Sequence, residues 1–300
     1  MKNKDSPLFL LAAENYKMDV LSMKKASTYY SLIYVIKKLV LEFGHLRIDQ
    51  IGKKDMQKFI CKLNAEIGAA SIRRYVSVFR SICTWADDEF TLPRLTLPRK
   101  RRVQQDYYTI EEIRKLIRSS TSDKALIMLL AETGCRIGEV VGLQTRDIQG
   151  NTLKIQRDAC GGILQDSPKT DSSVRNITIS DQLLKELKNI ILDGPECFVF
   201  RTRDDKMSYP VLLVKKIKEA CELAEVAYKS PHAFRRGNVT FCINELLIPE
   251  RIVGMRVGHD SGGITLGVYV QARSGCDKEW AVKIAEYLYG SGYLYAEEND

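Results

Sequence analysis

Histidine is scarce in this chain, with three in 300 residues. The eight cysteines, Cys61, Cys83, Cys135, Cys160, Cys197, Cys221, Cys242 and Cys276, form no C-x-x-C pair and have no histidine at ligand spacing. A zinc site is therefore not expected. Apolar runs such as Ala125–Ala131 fall far short of the roughly 20 residues a membrane helix needs. The brief apolar patch Leu8–Ala13 is followed by Glu14 without a convincing cleavage site, so no signal peptide is read. The cysteines are then expected to be reduced, mostly buried packing residues of a cytoplasmic protein. Acidic residues do not cluster as a divalent metal would require, and neither internal repeats nor low-complexity tracts are present.

Basic residues are in excess, 46 Lys+Arg against 38 Asp+Glu, for a net charge of +8. That balance favours a polyanionic partner, most simply nucleic acid. Hydrophobic content of 45% is ordinary for a globular chain, and 300 residues suit two domains. From residue 27 to about 88 the apolar positions recur at spacings of three and four: Leu32, Ile36, Leu39 and Phe43, then Met56, Phe59, Ile60, Leu63 and Ile67, then Ile72, Tyr75, Val76, Phe79, Ile82 and Cys83 after a Ser71 cap. These predict a small helical bundle over 1–90. The third helix carries Arg73, Arg74 and Arg80 off its apolar stripe, either as a solvated face or as phosphate contacts. Pro93 and Pro98 then break the period, and Arg94, Arg99, Lys100, Arg101 and Arg102 crowd a basic extended linker over 91–106. A stretch this basic would track a phosphate backbone.

The second domain is assigned to 107–300. Thr109-Ile-Glu-Glu112 reads as a capping box, and a helix over Asp123–Thr133 ends at Gly134, with Arg136 opening a further short helix. Between 151 and 179, Leu153 and Ile155, Ile163 and Leu164, and Val174, Ile177 and Ile179 predict three antiparallel strands turning at Gly161-Gly162. Ser180 caps a helix, and Ser230-Pro231 starts another that sets His232 and Arg235 on one face. The helix from Pro249 stops at Gly258, and a last amphipathic helix spans about Lys278–Tyr289. The fold class is thus mainly α with a small antiparallel sheet (α+β).

Two arginines and two histidines in short distinctive segments, Arg136, His232, Arg235 and His259, suit the binding of one phosphate carrying extra negative charge. Tyr269 stands ten residues beyond His259. A phenol with a pKa near 10 attacks only where its proton is removed or its oxyanion stabilised. Paired guanidinium forks could take the place of Mg²⁺ on the two non-bridging oxygens. A lysine held close could protonate the leaving oxygen. A covalent phosphotyrosine conserves the bond energy, so neither ATP nor any cofactor is expected.

These segments resemble the tyrosine recombinase family. Its Thr-Gly-x-Arg-x-x-Glu block corresponds to 133–139, and its Lys-Thr-x-x-Ser-x-Arg context to Lys169-Thr170 through Ser173 and Arg175. Its His-x-x-Arg corresponds to 232–235, its Gly-His to 258–259, and its nucleophile to Tyr269. The bundle is similar to the family's SAM-like core-binding domain, and 107–300 to its catalytic domain. The resemblance implies that Arg136 and Arg235 bind the scissile phosphate, Lys169 protonates the leaving 5′-hydroxyl and His232 acts as acid/base. His259 would bond the phosphate, Glu139 orient Arg136, and Tyr269 form a 3′-phosphotyrosine. The implied partner is a double-stranded recombination site bound by a homo-tetramer through a Holliday junction, the free protein being a monomer or dimer. Accessory DNA-bending factors are an option, and membrane association is not expected. With residues 1–26 ahead of the bundle, an arm-binding domain is not expected.

Two positions depart from the family pattern: Arg236 replaces the usual histidine, and Ser261-Gly262-Gly263 lengthens the approach to the tyrosine. Tyr287, Tyr289, Tyr293 and Tyr295 are weaker alternatives for the nucleophile. A topoisomerase IB-like or telomere-resolvase enzyme, or an inactive DNA-binding regulator on the same scaffold, are the rival readings.

Overall fold

The computed structural model describes residues 6–24, 26–92, 94–99, 106–120, 123–160, 162–165, 174–258 and 276–290, without the side chains of 26, 27, 160 and 276. The chain divides into two compact units, Met1–Val103 and Gln104–Asp300.

The first unit is helical: α1 (Phe9–Tyr16), continuing into a π turn Lys17–Leu21, α2 (Ala26–Phe43), α3 (Lys53–Asn64) and α4 (Ala69–Ala86). Ile36, Leu39, Met56, Leu63, Ile72, Phe79 and Ile82 are buried, as their spacing predicts. Helix α1 is an addition to the sequence reading. Its Phe9 stacks on Phe79 at 5.3 Å and meets Phe43 edge-on at 6.2 Å, so the patch Leu8–Ala13 begins a core element. Gly68, not Ser71, caps α4. The residues after α4 lie on this core. Phe90, Leu92, Leu95 and Leu97 pack against it, and Thr96 exchanges two hydrogen bonds with the Gln57 side chain, both 3.0 Å.

The second unit comprises α5 (Ile110–Ser119), α6 (Lys124–Thr133), α7 (Ile137–Val141), β1 (Ile148–Gln149), β2 (Thr152–Ile155), β3 (Asp158–Cys160), β4 (Ile163–Gln165), β5 (Arg175–Thr178), α8 (Asp181–Lys188), α9 (Pro210–Leu223), α10 (His232–Asn244), α11 (Glu250–Val257) and α12 (Cys276–Tyr289). The sheet is antiparallel in the order β1-β2-β5, with Leu153 opposite Ile177. Ile163 and Leu164 do not join it. They pair with Asp158–Cys160 as a separate hairpin. Alternation marks a strand but does not choose its partner.

Helix α6 is buried along almost its whole length and forms the axis of this core. Thr109 and Glu112 close the capping box of α5 (3.3 and 2.8 Å), and the Ser180 hydroxyl accepts the Leu183 amide at 3.1 Å to cap α8. Helix α9 went unread in the sequence. It buries Leu213, Ile217, Ala220 and Cys221. Helix α12 packs on its own unit through Ile284 and Leu288, and Arg114 donates to the carbonyls of Tyr287 (2.7 Å) and Leu288 (3.2 Å) at its end.

Candidate active site

Helix α6 ends because Gly134 adopts the left-handed conformation (φ 62°), where a Cβ would lie 3.2 Å from the Asn238 side-chain oxygen. The chain then extends through Arg136 (φ −75°, ψ 149°) into α7. Glu139, one turn into α7, reaches back to accept from the Arg136 amide and from Arg136 Nη1, both at 2.8 Å. Arg136 is thereby aimed while its side chain stays 40% exposed, open to a ligand.

Glu139 itself is buried and serves a second cation. Arg175, at the start of β5, donates Nη1 to Oε1 (3.2 Å) and Nη2 to Oε2 (3.0 Å). Burial alone would raise the Glu139 pKa. The two bonds from Arg175, its charge and the bonds from Arg136 outweigh that and hold the carboxyl below the usual range, so it stays ionised. Arg175 Nε donates to the Arg256 carbonyl at 2.6 Å, which ties β5 to the end of α11. There Gly258 is left-handed (φ 67°), and a Cβ would come within 3.0 Å of Arg175 Nη1. Arg136 Nη2 lies 3.4 Å from the Gly258 carbonyl.

The second phosphate-binding candidate comes from α10. Asn238 pins this helix to the end of α6 by donating to the carbonyls of Ala131 (2.8 Å) and Glu132 (3.0 Å). At Gly237 the helix approaches Tyr108 so closely that a Cβ would sit 2.6 Å from its carbonyl oxygen. Phe234 packs against the Tyr108 ring with centroids 4.3 Å apart and a 31° tilt, and Arg236 Nε donates to the Asp106 carbonyl at 2.7 Å. Position 236 thus works as an anchor for the start of the unit.

Arg235 is only 2% exposed. Its Nη1 donates to the Gly134 carbonyl at 3.0 Å, while Nε and Nη2 are buried without a hydrogen-bond partner among the described residues. Burial, and secondly the charge of Arg136, push its pKa down to about 10. A buried cation with two unbonded donor nitrogens beside a half-open Arg136 is a site built for an anion.

His232 occupies the first position of α10 and is exposed, although it shares a face with the buried Arg235. Lys169, His259 and Tyr269 lie outside the described residues, as do Tyr293 and Tyr295. Tyr289 is committed elsewhere. Its hydroxyl donates to buried Glu132 at 2.7 Å, and burial, then the Glu132 charge, raise its pKa well above the ordinary value. Tyr287 packs on Phe241 at 5.5 Å.

In the first unit Arg73 donates to the Pro98 carbonyl at 3.2 Å and Arg74 to the Ser31 hydroxyl at 2.6 Å, while Arg80 and Arg99 are exposed. Lys100, Arg101 and Arg102 are outside the described residues. Among the described residues no group of three His, Cys, Asp or Glu is placed to hold a metal, and no helix is long and apolar enough to cross a membrane. In the sequence Arg175 stands out only as part of the Lys-Thr-x-x-Ser-x-Arg motif, and Asn238 and Gly237 do not stand out at all. Arg175 carried a signal in that motif; the other two had none beyond their place on α10.

A mainly helical unit with a small antiparallel sheet, and arginines converging from the start of α7, from β5 and from α10, fits the tyrosine recombinase class. Residues 105–275 match the phage integrase family, and the chain belongs to that family of site-specific DNA recombinases. The integrase of Staphylococcus phage L54a is 24% identical over 293 residues, covering 82% of each chain. The ICEBs1 integrase of Bacillus subtilis is 28% identical over 220 residues, 65% of this chain and 57% of that protein. Among solved structures, a lambda integrase tetramer bound to a Holliday junction shares the fold with a TM-score of 0.68 at 17% identity, over 86% of this chain and 80% of that one.

Proposed function

We propose that this chain cuts and rejoins double-stranded DNA at a recombination site through a 3′-phosphotyrosine on Tyr269. The observation that carries this reading is the buried, under-bonded Arg235 guanidinium beside Arg136, whose own fork is aimed by Glu139. Two such forks match the two non-bridging oxygens of a phosphodiester and stabilise the charge added in the five-coordinate state.

In the proposed step the Tyr269 oxygen attacks phosphorus and its proton passes to His232. The bond to the 5′ oxygen breaks, and Lys169 supplies the proton that makes a 5′-hydroxyl. His259 bonds a phosphate oxygen. Reversal by another strand's 5′-hydroxyl reseals the backbone, so each exchange conserves the number of phosphodiester bonds. Exchange of one strand pair creates a Holliday junction, and a second exchange resolves it within a homo-tetramer. The fold shared with lambda integrase, captured as a tetramer on a Holliday junction, supports a tetramer and a junction here. The first unit adds phosphate contacts from Arg80 and Arg99, with Arg73 and Arg74 beside them.

A nicked suicide duplex, which loses its 5′-hydroxyl strand after cleavage, tests the reading. The wild type accumulates a covalent protein–DNA adduct, and Tyr269→Phe forms none. Absence of the adduct from the wild type, or its survival in Tyr269→Phe, overturns the proposal.

A further inference from the structure

The stretch that carries Tyr269, residues 259–275, lies between α11 and α12, and one ion pair joins the two flanks. Arg256, two residues before Gly258, pairs through Nη1 with the Asp277 carboxylate in the first turn of α12. The Arg256 side chain is 5% exposed. Both partners also bind one residue of the sheet. Arg256 Nη2 donates to the Thr178 carbonyl at 3.2 Å, and the Thr178 amide donates to Asp277. Thr178 ends the strand that Arg175 begins, and Arg175 bonds both Glu139 and the Arg256 carbonyl. A continuous chain of charge-assisted bonds therefore runs from Arg136 through Glu139, Arg175 and Arg256 to Asp277.

We infer that Arg256 and Asp277 are positioning residues for the nucleophile: they hold both ends of the Tyr269-bearing stretch in register with the guanidinium that binds the scissile phosphate. The inference rests on the reading of Tyr269 as the nucleophile. Residues 259–275 have a contour of up to roughly 60 Å at about 3.3–3.6 Å each. Fixing residues 256 and 277 on the strand whose Arg175 bonds Glu139 limits the conformations open to any chain that joins them. An attacking oxygen must come within about 3.5 Å of phosphorus in line, and a 1 Å misplacement can lose on the order of a hundredfold in rate. Burial of apolar surface at this spot would stabilise the fold as well as an ion pair does. Two charges bonded to the amide and the carbonyl of one strand residue add a defined register.

The test uses the full chain with the same suicide duplex. Asp277→Asn and Arg256→Met lower the single-turnover rate of adduct formation at saturating enzyme by about 10- to 100-fold, and leave the Kd for uncleaved duplex within about twofold. Asp277→Glu, which restores the charge, recovers most of the rate. Should Arg256→Met fail to fold, Arg256→Lys keeps the buried cation but loses the fork that reaches Thr178 and Asp277 together, and it shows the same rate loss. Rates within about twofold of wild type in folded variants, or a Kd that weakens by the same factor as the rate, overturn the inference. A wild type that forms no adduct at Tyr269 defeats the underlying reading, and the inference with it, before any clamp variant is compared.

Discussion

Replacing Arg235 by methionine should make the protein more stable while abolishing strand cleavage. The guanidinium is 2% exposed and engages one acceptor, Gly134, among the described residues. Burial lowers its pKa from the ordinary arginine range to about 10, which at about 1.4 kcal/mol per tenfold change in proton affinity disfavours the folded cation by roughly 3 kcal/mol. Methionine is flexible and apolar and fills a similar volume. It forfeits the bond to the Gly134 carbonyl, about 1 kcal/mol. The net gain is about 2 kcal/mol, which for a unit of this size raises the thermal midpoint by about 4–8 °C.

The measurement is a thermal melt of both full-length chains without DNA, in buffer free of phosphate and sulfate. The advantage of the variant holds constant between about pH 6 and 9. Above about pH 10 the folded site releases a proton that the unfolded chain keeps. Wild-type stability then rises with pH, and the gap narrows. Added sulfate, a tetrahedral dianion, raises the wild-type midpoint and leaves the variant where it was. A lower midpoint in Arg235→Met, or equal sulfate responses, refutes the assignment of Arg235 as an anion-binding cation held under strain by burial.

Glu139→Gln should act in the opposite sense, because it leaves the buried Arg175 without its counter-charge. A loss of about 3–5 kcal/mol follows, visible in denaturant titration, together with loss of the adduct. Since the Glu139 pKa is depressed, its contribution is complete above the usual carboxylate range and is lost as pH falls below it; the glutamine variant lacks that acid limb. Tyr289→Phe removes the donor to buried Glu132 and costs about 1–3 kcal/mol, but retains adduct formation. Loss of the adduct in a folded Tyr289→Phe protein would reopen the choice of nucleophile. DNA affinity should fall steeply between about 50 and 200 mM salt as phosphate contacts release counterions, and neutralising Arg99–Arg102 should flatten that slope while leaving the melting midpoint in place. A flat wild-type response would refute extensive backbone contact.

Local signals in the sequence translated directly into structure. The apolar period of α2, α3 and α4, the Thr109/Glu112 box, and the stops at Gly134 and Gly258 each depend on residues within one turn of each other. The omissions have common causes. Helix α1 is eight residues long, too short for a period to stand out, and is stabilised by Phe43 and Phe79 from elsewhere in the bundle. Strand β1 is two residues long and exists only through its partner β2. The residues after Pro93 look like a solvated tether until Gln57, distant in sequence, supplies the partner for Thr96.

The site was legible as residue types in order, and illegible as a network. Arg136 and Glu139 are neighbours on a helical turn, so their pairing follows from spacing. Arg235 and Gly134 are 101 residues apart, and only the packing of α10 on α6, set by Asn238 and the close approach at Gly237, brings them together. The same packing buries a cation that ordinary folding economy would exclude from the core. Neighbours committed to stability would have given all five donors of Arg235 an acceptor. Here Nε and Nη2 go without one among the described residues, and Glu139, the carboxylate whose charge acts on Arg235, is engaged by Arg136 and Arg175. The carboxylate that could neutralise Arg235 is thus kept from it by two other arginines. That division of labour leaves an uncompensated positive charge where the proposed scissile phosphate would sit, and its burial disfavours the fold while no anion is bound.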